Sequence, residues 1–139
     1  MGAFVADRAA MWTLTGDPVL GHITTFGGHP VCCAAGMAAL QVLLEGDWIG
    51  QVARKEELFR RRLVHPSIRA VRSSGLLIAV EFDNFEQNKR VIDACIGKGL
   101  LTDWYLFAPQ CMRIAPPLII SEEEIEEACS IILSSIEVG

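Results

Sequence analysis

The stretch Ile68-Arg-Ala-Val-Arg-Ser-Ser-Gly-Leu-Leu-Ile-Ala-Val-Glu-Phe82 decides the fold class of this chain. Ile68 to Arg72 and Leu76 to Phe82 are short runs rich in apolar and β-branched residues. Ser73-Ser74-Gly75 between them has turn chemistry, so the segment predicts two antiparallel strands. Asn84 then begins a helix whose Val91, Ile92 and Cys95 face inward, with Gly97 and Gly99 near its end. Leu100 to Asp103 and Met112 to Ala115 are short strand candidates on either side of an aromatic loop, Trp104 to Pro109. The last helix is the best marked. Ser121 and Glu124 form a capping box and Ile120 can staple onto Ile125. Ile125, Ala128, Cys129, Ile132 and Ile136 then recur at helical spacing. The order strand, strand, helix, strand, strand, helix predicts an α+β domain, an antiparallel sheet with helices on one face burying those stripes.

Toward the N-terminus, Asp47 is placed to cap a helix running to about Leu63, which His65-Pro66-Ser67 ends. Ile49, Val52, Phe59 and Leu63 form its apolar side, and Arg54, Lys55, Glu57, Arg61 and Arg62 its solvated face. Val31 to Leu44, rich in Cys, Ala and Gly36, is apolar on nearly every face and reads as a helix buried on several sides. Left exposed, such a surface favours self-association. Gly21 to Pro30 is a polar loop with glycines at its turns, and Thr15-Gly-Asp-Pro18 breaks regular structure. Asp7 can cap a short helix through Trp12, and Gly2 to Ala6 reads as a strand.

With 51% hydrophobic and 21% charged residues, the chain has material for a core and is not a disordered tract. A net charge of −5 argues against nucleic acid or an anionic membrane surface as the main partner. Neither a leader nor a membrane span is expected, because Met1 to Asp7 lacks a basic start and Val31 to Leu44 is too short to cross a bilayer. A soluble, cytoplasmic protein is the expectation. The cysteines, Cys32, Cys33, Cys95, Cys111 and Cys129, are odd in number and form no Cys-x-x-Cys pair, so they read as reduced thiols acting as small core residues. His22 and His29 have no acidic or cysteine partner at ligand spacing, and no metal site is expected.

Two segments carry chemistry. His22-Ile-Thr-Thr-Phe-Gly-Gly-His-Pro-Val31 runs into the small-residue helix. Its threonine hydroxyls and the amides beside its glycines can hold a phosphate, with the helix N-terminus adding a favourable field. Cys111-Met-Arg-Ile-Ala-Pro-Pro-Leu-Ile-Ile120 sets Arg113 on a short strand before a stiff Pro-Pro turn, which suits a guanidinium presented to a carboxylate. On the residues alone, a plain glycine turn and a structural salt bridge are the simpler readings, and both stay open at this point.

Taken together, the segments resemble the class III aminotransferases of the ornithine and acetylornithine type. That family carries a His-x-(Ser/Thr)-Thr-(Phe/Tyr)-Gly-Gly-Asn-Pro loop, matched from His22 to Pro30 with His29 in place of asparagine. It also carries an arginine-x-x-Pro-Pro-Leu segment followed by an acidic capped helix, matched by Arg113 to Leu118 and Ser121 to Glu127. Arg72 to Glu81 resembles its arginine-x-x-Gly-Leu hairpin, and Met1 to Val5 the strand after its cofactor lysine. The resemblance implies part of a fold-type I enzyme using pyridoxal 5'-phosphate. Residues 1–45 would be the tail of the large cofactor-binding domain and an interdomain helix, and 46–139 the C-terminal small domain. Thr25 matches the threonine that bonds the cofactor phosphate across a homodimer interface, Thr24 the neighbour that assists it, and Arg113 the arginine that binds a substrate carboxylate.

The family's Schiff-base lysine lies just before the strand with which this chain begins. The lysines present are Lys55, Lys89 and Lys98, and none matches it, so no catalytic residue is assigned and these 139 residues alone are expected to be inactive. The implied parent moves an amino group from a small ω-amine donor, ornithine or acetylornithine in kind, to a 2-oxo acid such as 2-oxoglutarate. The alternatives are a related aminomutase or decarboxylase on the same cofactor, or a non-catalytic, stand-alone, self-associating domain.

Overall fold

A computed structural model describes residues 2–17, 19 and 23–137. The expectations placed on Met1, Pro18, Gly21 and His22 lie outside them. The chain divides into two compact units, Met1–Gly46 and Asp47–Gly139.

The first unit holds α1 (Arg8–Trp12), a 3-10 turn (Thr13–Thr15) and α2 (Pro30–Glu45). Asp7 caps α1 by accepting from the amide of Ala10 at 2.9 Å. Gly2 to Ala6 forms no strand: among the described residues no strand pairs with it, and Phe4 and Val5 are exposed. The helix expected from Val31 to Leu44 is present. The burial expected for it is not, since none of its residues is buried. Among the described residues of this unit there is only α1 and one turn to set against sixteen helical residues. The adjacent Cys32 and Cys33 are therefore exposed rather than core residues.

The second unit runs α3 (Val52–Arg62), β1 (Ala70–Ser74), β2 (Leu77–Glu81), α4 (Phe85–Gly97), β3 (Asp103–Tyr105), β4 (Ala108–Ile114) and α5 (Glu122–Ile136). The strands make one antiparallel sheet in the order β1-β2-β4-β3. Strand alternation sends Ile78, Val80, Met112 and Ile114 to one face, where they meet Phe59 of α3, Val91, Ile92 and Cys95 of α4, and Ile125, Cys129, Ile132 and Ile136 of α5. This is the α+β arrangement that the element order predicts. Helices α4 and α5 each enter by a sequence signal, and α3 has no side-chain cap. The Asn84 side chain accepts from the Gln87 amide, and Ser121 and Glu124 form both halves of a capping box.

Three expectations shift. The strands of the hairpin extend to Ser74 and start again at Leu77, so the turn is Gly75–Leu76. Gly75 has φ 61°, and glycine at the first central position is what a II′-type hairpin turn requires. The helix expected from Asp47 starts at Val52, because a turn intervenes through Gln51, and Ile49 is exposed within that turn. The strand expected from Leu100 to Asp103 begins only at Asp103, and Trp104 to Pro109 is mostly strand, with Leu106 and Phe107 left as the tip.

Lys55 also departs from its expected solvated face. It is 5% exposed, and its Nζ donates to the carbonyl of Leu118 at 2.7 Å. Its neighbours Arg54 and Arg62 pair with Glu122 and Glu126, each at 2.6 Å. Helix α3 thus grips α5 and the Pro-Pro-Leu turn that follows Arg113. Periodicity assigned Lys55 outward; the approach of that turn from 63 residues away is what covers it.

Candidate functional site

In the first unit, Thr24 to Gly28 forms the loop that leads into α2. The Gly27 amide donates to the Thr24 carbonyl at 3.1 Å, and that of His29 to the Phe26 carbonyl at 3.2 Å. A Cβ on Gly27 would lie 2.7 Å from the Thr24 hydroxyl, and Gly28 sits at φ 71°, so the two glycines serve different needs. Gly27 leaves room for a hydroxyl; Gly28 permits the left-handed turn. The loop hands over to α2 at His29, whose side chain makes no capping bond, and Pro30 follows at the first helical position. The His29 ring stands edge-on to Phe26 instead, with centroids 6.4 Å apart.

Thr24, Thr25, Gly27, Gly28, Cys32 and Cys33 line a cavity of about 500 Å³, and no acidic residue is among those that line it. Two hydroxyls and the uncapped N-terminus of a long helix, with no carboxylate to repel an anion, make donor chemistry that fits a phosphate group.

In the second unit, Arg113 stands on the sheet face away from the helices. Strand register sets Arg72 opposite Ala79, Ala79 opposite Arg113, and Arg113 opposite Asp103, so these four form one row across the sheet. Arg113 donates from Nε to Asp103 Oδ1 at 2.7 Å and from Nη2 to Asp103 Oδ2. Both side chains are about half exposed. Arg72 pairs with Glu81 and also donates to the Cys111 sulfur at 3.4 Å.

The row floors a cleft of about 660 Å³ bounded by Tyr105, Leu106 and Phe107. Phe107 is 96% exposed at the hairpin tip, and Trp104 packs edge-to-face on Phe85 of α4. Asn88 of α4 is fully buried and donates to the Pro109 carbonyl at 2.7 Å, which fixes the start of β4 under the wall. The hydrogen bond to Asp103, with its charge, raises the Arg113 pKa, so the guanidinium stays protonated. Burial pushes the Tyr105 phenol up, and it stays a neutral donor to the Ile78 carbonyl. Burial likewise raises the Cys111 thiol, against the pull of Arg72.

The salt bridge that bare sequence allowed for Arg113 is therefore present, yet it occupies only part of the guanidinium. Among the described residues no acceptor is bonded to Nη1. Sequence position alone does not mark Asp103 and Tyr105 as neighbours of Arg113. Opposite charges ten residues apart around an aromatic hairpin were the available signal, but it needs the register to become readable. Thr24 and Thr25 belong to one unit and Arg113 to the other, and each is described within its own.

The model of the aminotransferase class-III family matches residues 1–136, and the chain belongs to that family. Acetylornithine aminotransferase of Haemophilus ducreyi is 36% identical over 134 residues, which cover 95% of this chain and 32% of that protein. Among solved structures, acetylornithine aminotransferase from Elizabethkingia anophelis superposes with a TM-score of 0.74 at 31% identity, covering 85% of this chain and 32% of that one. Ornithine aminotransferase from Toxoplasma gondii, solved with partial occupancy of pyridoxal phosphate at its active site, superposes with a TM-score of 0.68 at 32% identity, covering 83% and 28%. The chain spans about a third of the length of the curated relatives it matches. Its fold is that of a portion of a class-III aminotransferase, a family that works with pyridoxal phosphate.

Proposed function

We propose that this chain forms the C-terminal part of a pyridoxal-phosphate-dependent aminotransferase that moves an amino group from an ω-amine donor, ornithine or acetylornithine in kind, to a 2-oxo acid such as 2-oxoglutarate. Residues 1–45 then belong to the large cofactor-binding domain and 46–139 form the small domain. The observation that carries the reading is Arg113, held on a cleft floor with Nη1 left over and an apolar wall beside it. A guanidinium in that setting takes the carboxylate of a substrate, and the wall takes its hydrocarbon chain.

Thr25, assisted by Thr24, holds the cofactor phosphate through neutral hydroxyls, and the α2 N-terminus favours the negative charge. In the family pattern this contact crosses a homodimer interface, so the threonines of one subunit serve the site of the other. When bound, the cofactor supplies the electron sink that carbon–nitrogen chemistry needs. This chain's residues contribute binding and orientation. Lys55, Lys89 and Lys98 are its only lysines, and Lys55 is engaged with a backbone carbonyl, so the 139 residues alone do not catalyse the transfer.

The test is made on the complete polypeptide. Ornithine or acetylornithine with 2-oxoglutarate should give glutamate and an aldehyde product, and Thr25→Ala should weaken cofactor binding about 10-fold, the size of one lost phosphate hydrogen bond. Equilibrium dialysis against pyridoxal phosphate reads this without turnover. Unchanged cofactor affinity would remove Thr25 from the phosphate site, and glutamate formation by the 139-residue chain alone would refute the assignment of inactivity.

A further inference from the structure

A cavity of about 290 Å³ opens in the helical layer of the second unit, on the opposite side of the sheet from Arg113. It lies between α4, the end of α5 and the loop before β1, and none of the residues that line it is acidic. Its outer polar groups are donors. The Arg90 side chain makes no hydrogen bond or ion pair among the described residues. The carboxylates nearest it in sequence toward the helix end and before the helix are engaged elsewhere, Asp93 by Lys89 and Asp83 by Arg69. Glu86, four residues before Arg90 on the same helix, stands in the first turn, where the helix field favours it, and does not pair with Arg90. Gln87 accepts from the Asp83 amide through Oε1 at 3.2 Å, which leaves both protons of its Nε2 unused. Ser67 commits its amide to His65 Nδ1 at 3.1 Å and keeps its hydroxyl.

Beneath these donors the cavity is closed and apolar. Val91 and Ile136 are buried, and Ala94 between them is small. Ser135 is 2% exposed, and its hydroxyl is committed to the Ile131 carbonyl at 2.7 Å. We propose that this cavity is a binding site for a small aliphatic monocarboxylate, separate from the substrate cleft. Arg90 and Gln87 take the carboxylate, and Val91, Ala94 and Ile136 take the hydrocarbon part. One guanidinium is unmatched, so one negative charge is matched by binding; a second carboxylate would have to enter the apolar floor. A ligand held there touches residue 67, α4 and the end of α5, segments distant in sequence, so occupancy stabilises the second unit by linkage.

The test uses the complete polypeptide carrying Arg113→Gln, so that the arginine of the substrate cleft does not compete for the probe. Butyrate, titrated by ligand-observed NMR at about 0.15 M salt, where exposed charges are screened over roughly 8 Å, should bind saturably with one site per chain. Arg90→Gln should weaken it about 10-fold, and Glu86→Gln should leave it equal or tighter. Ala94→Leu fills the floor without changing charge and should abolish saturable binding. Inorganic phosphate, which has no hydrocarbon part, should bind at least about 10-fold more weakly than butyrate. Arg90 is exposed, so the melting temperature of Arg90→Gln without ligand should match its parent; butyrate should raise the parent's melting temperature and not the variant's.

Absence of saturable butyrate binding would overturn the proposal. So would equal binding of butyrate and phosphate, which would mean attraction to surface charge only. Undiminished binding in Ala94→Leu would place the ligand outside the cavity, and an equal rise in melting temperature in Arg90→Gln would remove the guanidinium from the site; either result refutes it.

Discussion

Replacing Gly75 by alanine probes the hairpin on which the sheet is built, and the structure separates its cost into two parts. Gly75 sits at φ 61°, where a Cβ costs about 1–2 kcal/mol in backbone strain. The same Cβ would also lie 2.8 Å from Cγ1 of Val52, on the first turn of α3, and forcing a methyl into packed space costs about 1–3 kcal/mol. The sum is about 3 kcal/mol, a large part of a small domain's stability. At a urea slope of about 1.5 kcal/mol per molar, the unfolding midpoint of Gly75→Ala should fall by about 2 M, read by far-ultraviolet circular dichroism and by the fluorescence of Trp104. Val52→Ala removes the atom in the way and, being partly buried, costs about 1 kcal/mol alone. In that background Gly75→Ala should cost only its backbone part, about 1.5 kcal/mol, a coupling of roughly the same size. An equal cost in both backgrounds would show that Val52 does not crowd the turn, and a total below about 1 kcal/mol would refute the strain argument too.

Ser121→Ala removes the side-chain half of the capping box and should destabilise the second unit by about 1 kcal/mol in the same urea experiment, with an unchanged slope. The backbone amide and the Ser121 hydroxyl hold the Glu123 carboxyl below its ordinary pKa, so its contribution is present above the usual carboxylate range and lost as pH falls through the lower folded value. A titration of stability from neutral to acid should therefore fall less steeply in Ser121→Ala than in the parent; an identical slope would count against the hydroxyl. Burial pushes the Cys129 thiol up to about 12 and raises Cys95 and Cys111 as well, so a thiol reagent at pH 8 should label Cys32 and Cys33 of the folded 139-residue chain quickly and the other three only on unfolding. A third fast thiol would mean that the core opens locally.

Local signals account for what was readable in advance. A cap residue followed by apolar residues at helical spacing specifies α4 and α5, because capping and amphipathic burial act within one helix. The apolar, β-branched run from Leu76 to Phe82 likewise specifies a strand. The resemblance to class III aminotransferases was legible for the same reason: its loop, its hairpin and its Pro-Pro-Leu segment are each contiguous. Errors fell where a distant segment decides. Lys55 is buried because the Leu118 turn lies over it, and Trp104 to Pro109 is strand because β3 and β4 find each other. The helix from Val31 to Leu44 could be read, but periodicity carries no information about which surface covers it.

The sequence by itself determined the elements of the second unit, their order and the three segments that carry the family pattern, since each depends on residues within a few positions of one another. Only the tertiary structure decided the strand order β1-β2-β4-β3 and its register. That register brings Arg72, Ala79, Asp103 and Arg113 into one row from four different strands. A one-residue slip in any pairing would send a side chain to the opposite face, so the cleft is a property of the assembled sheet and of no single segment.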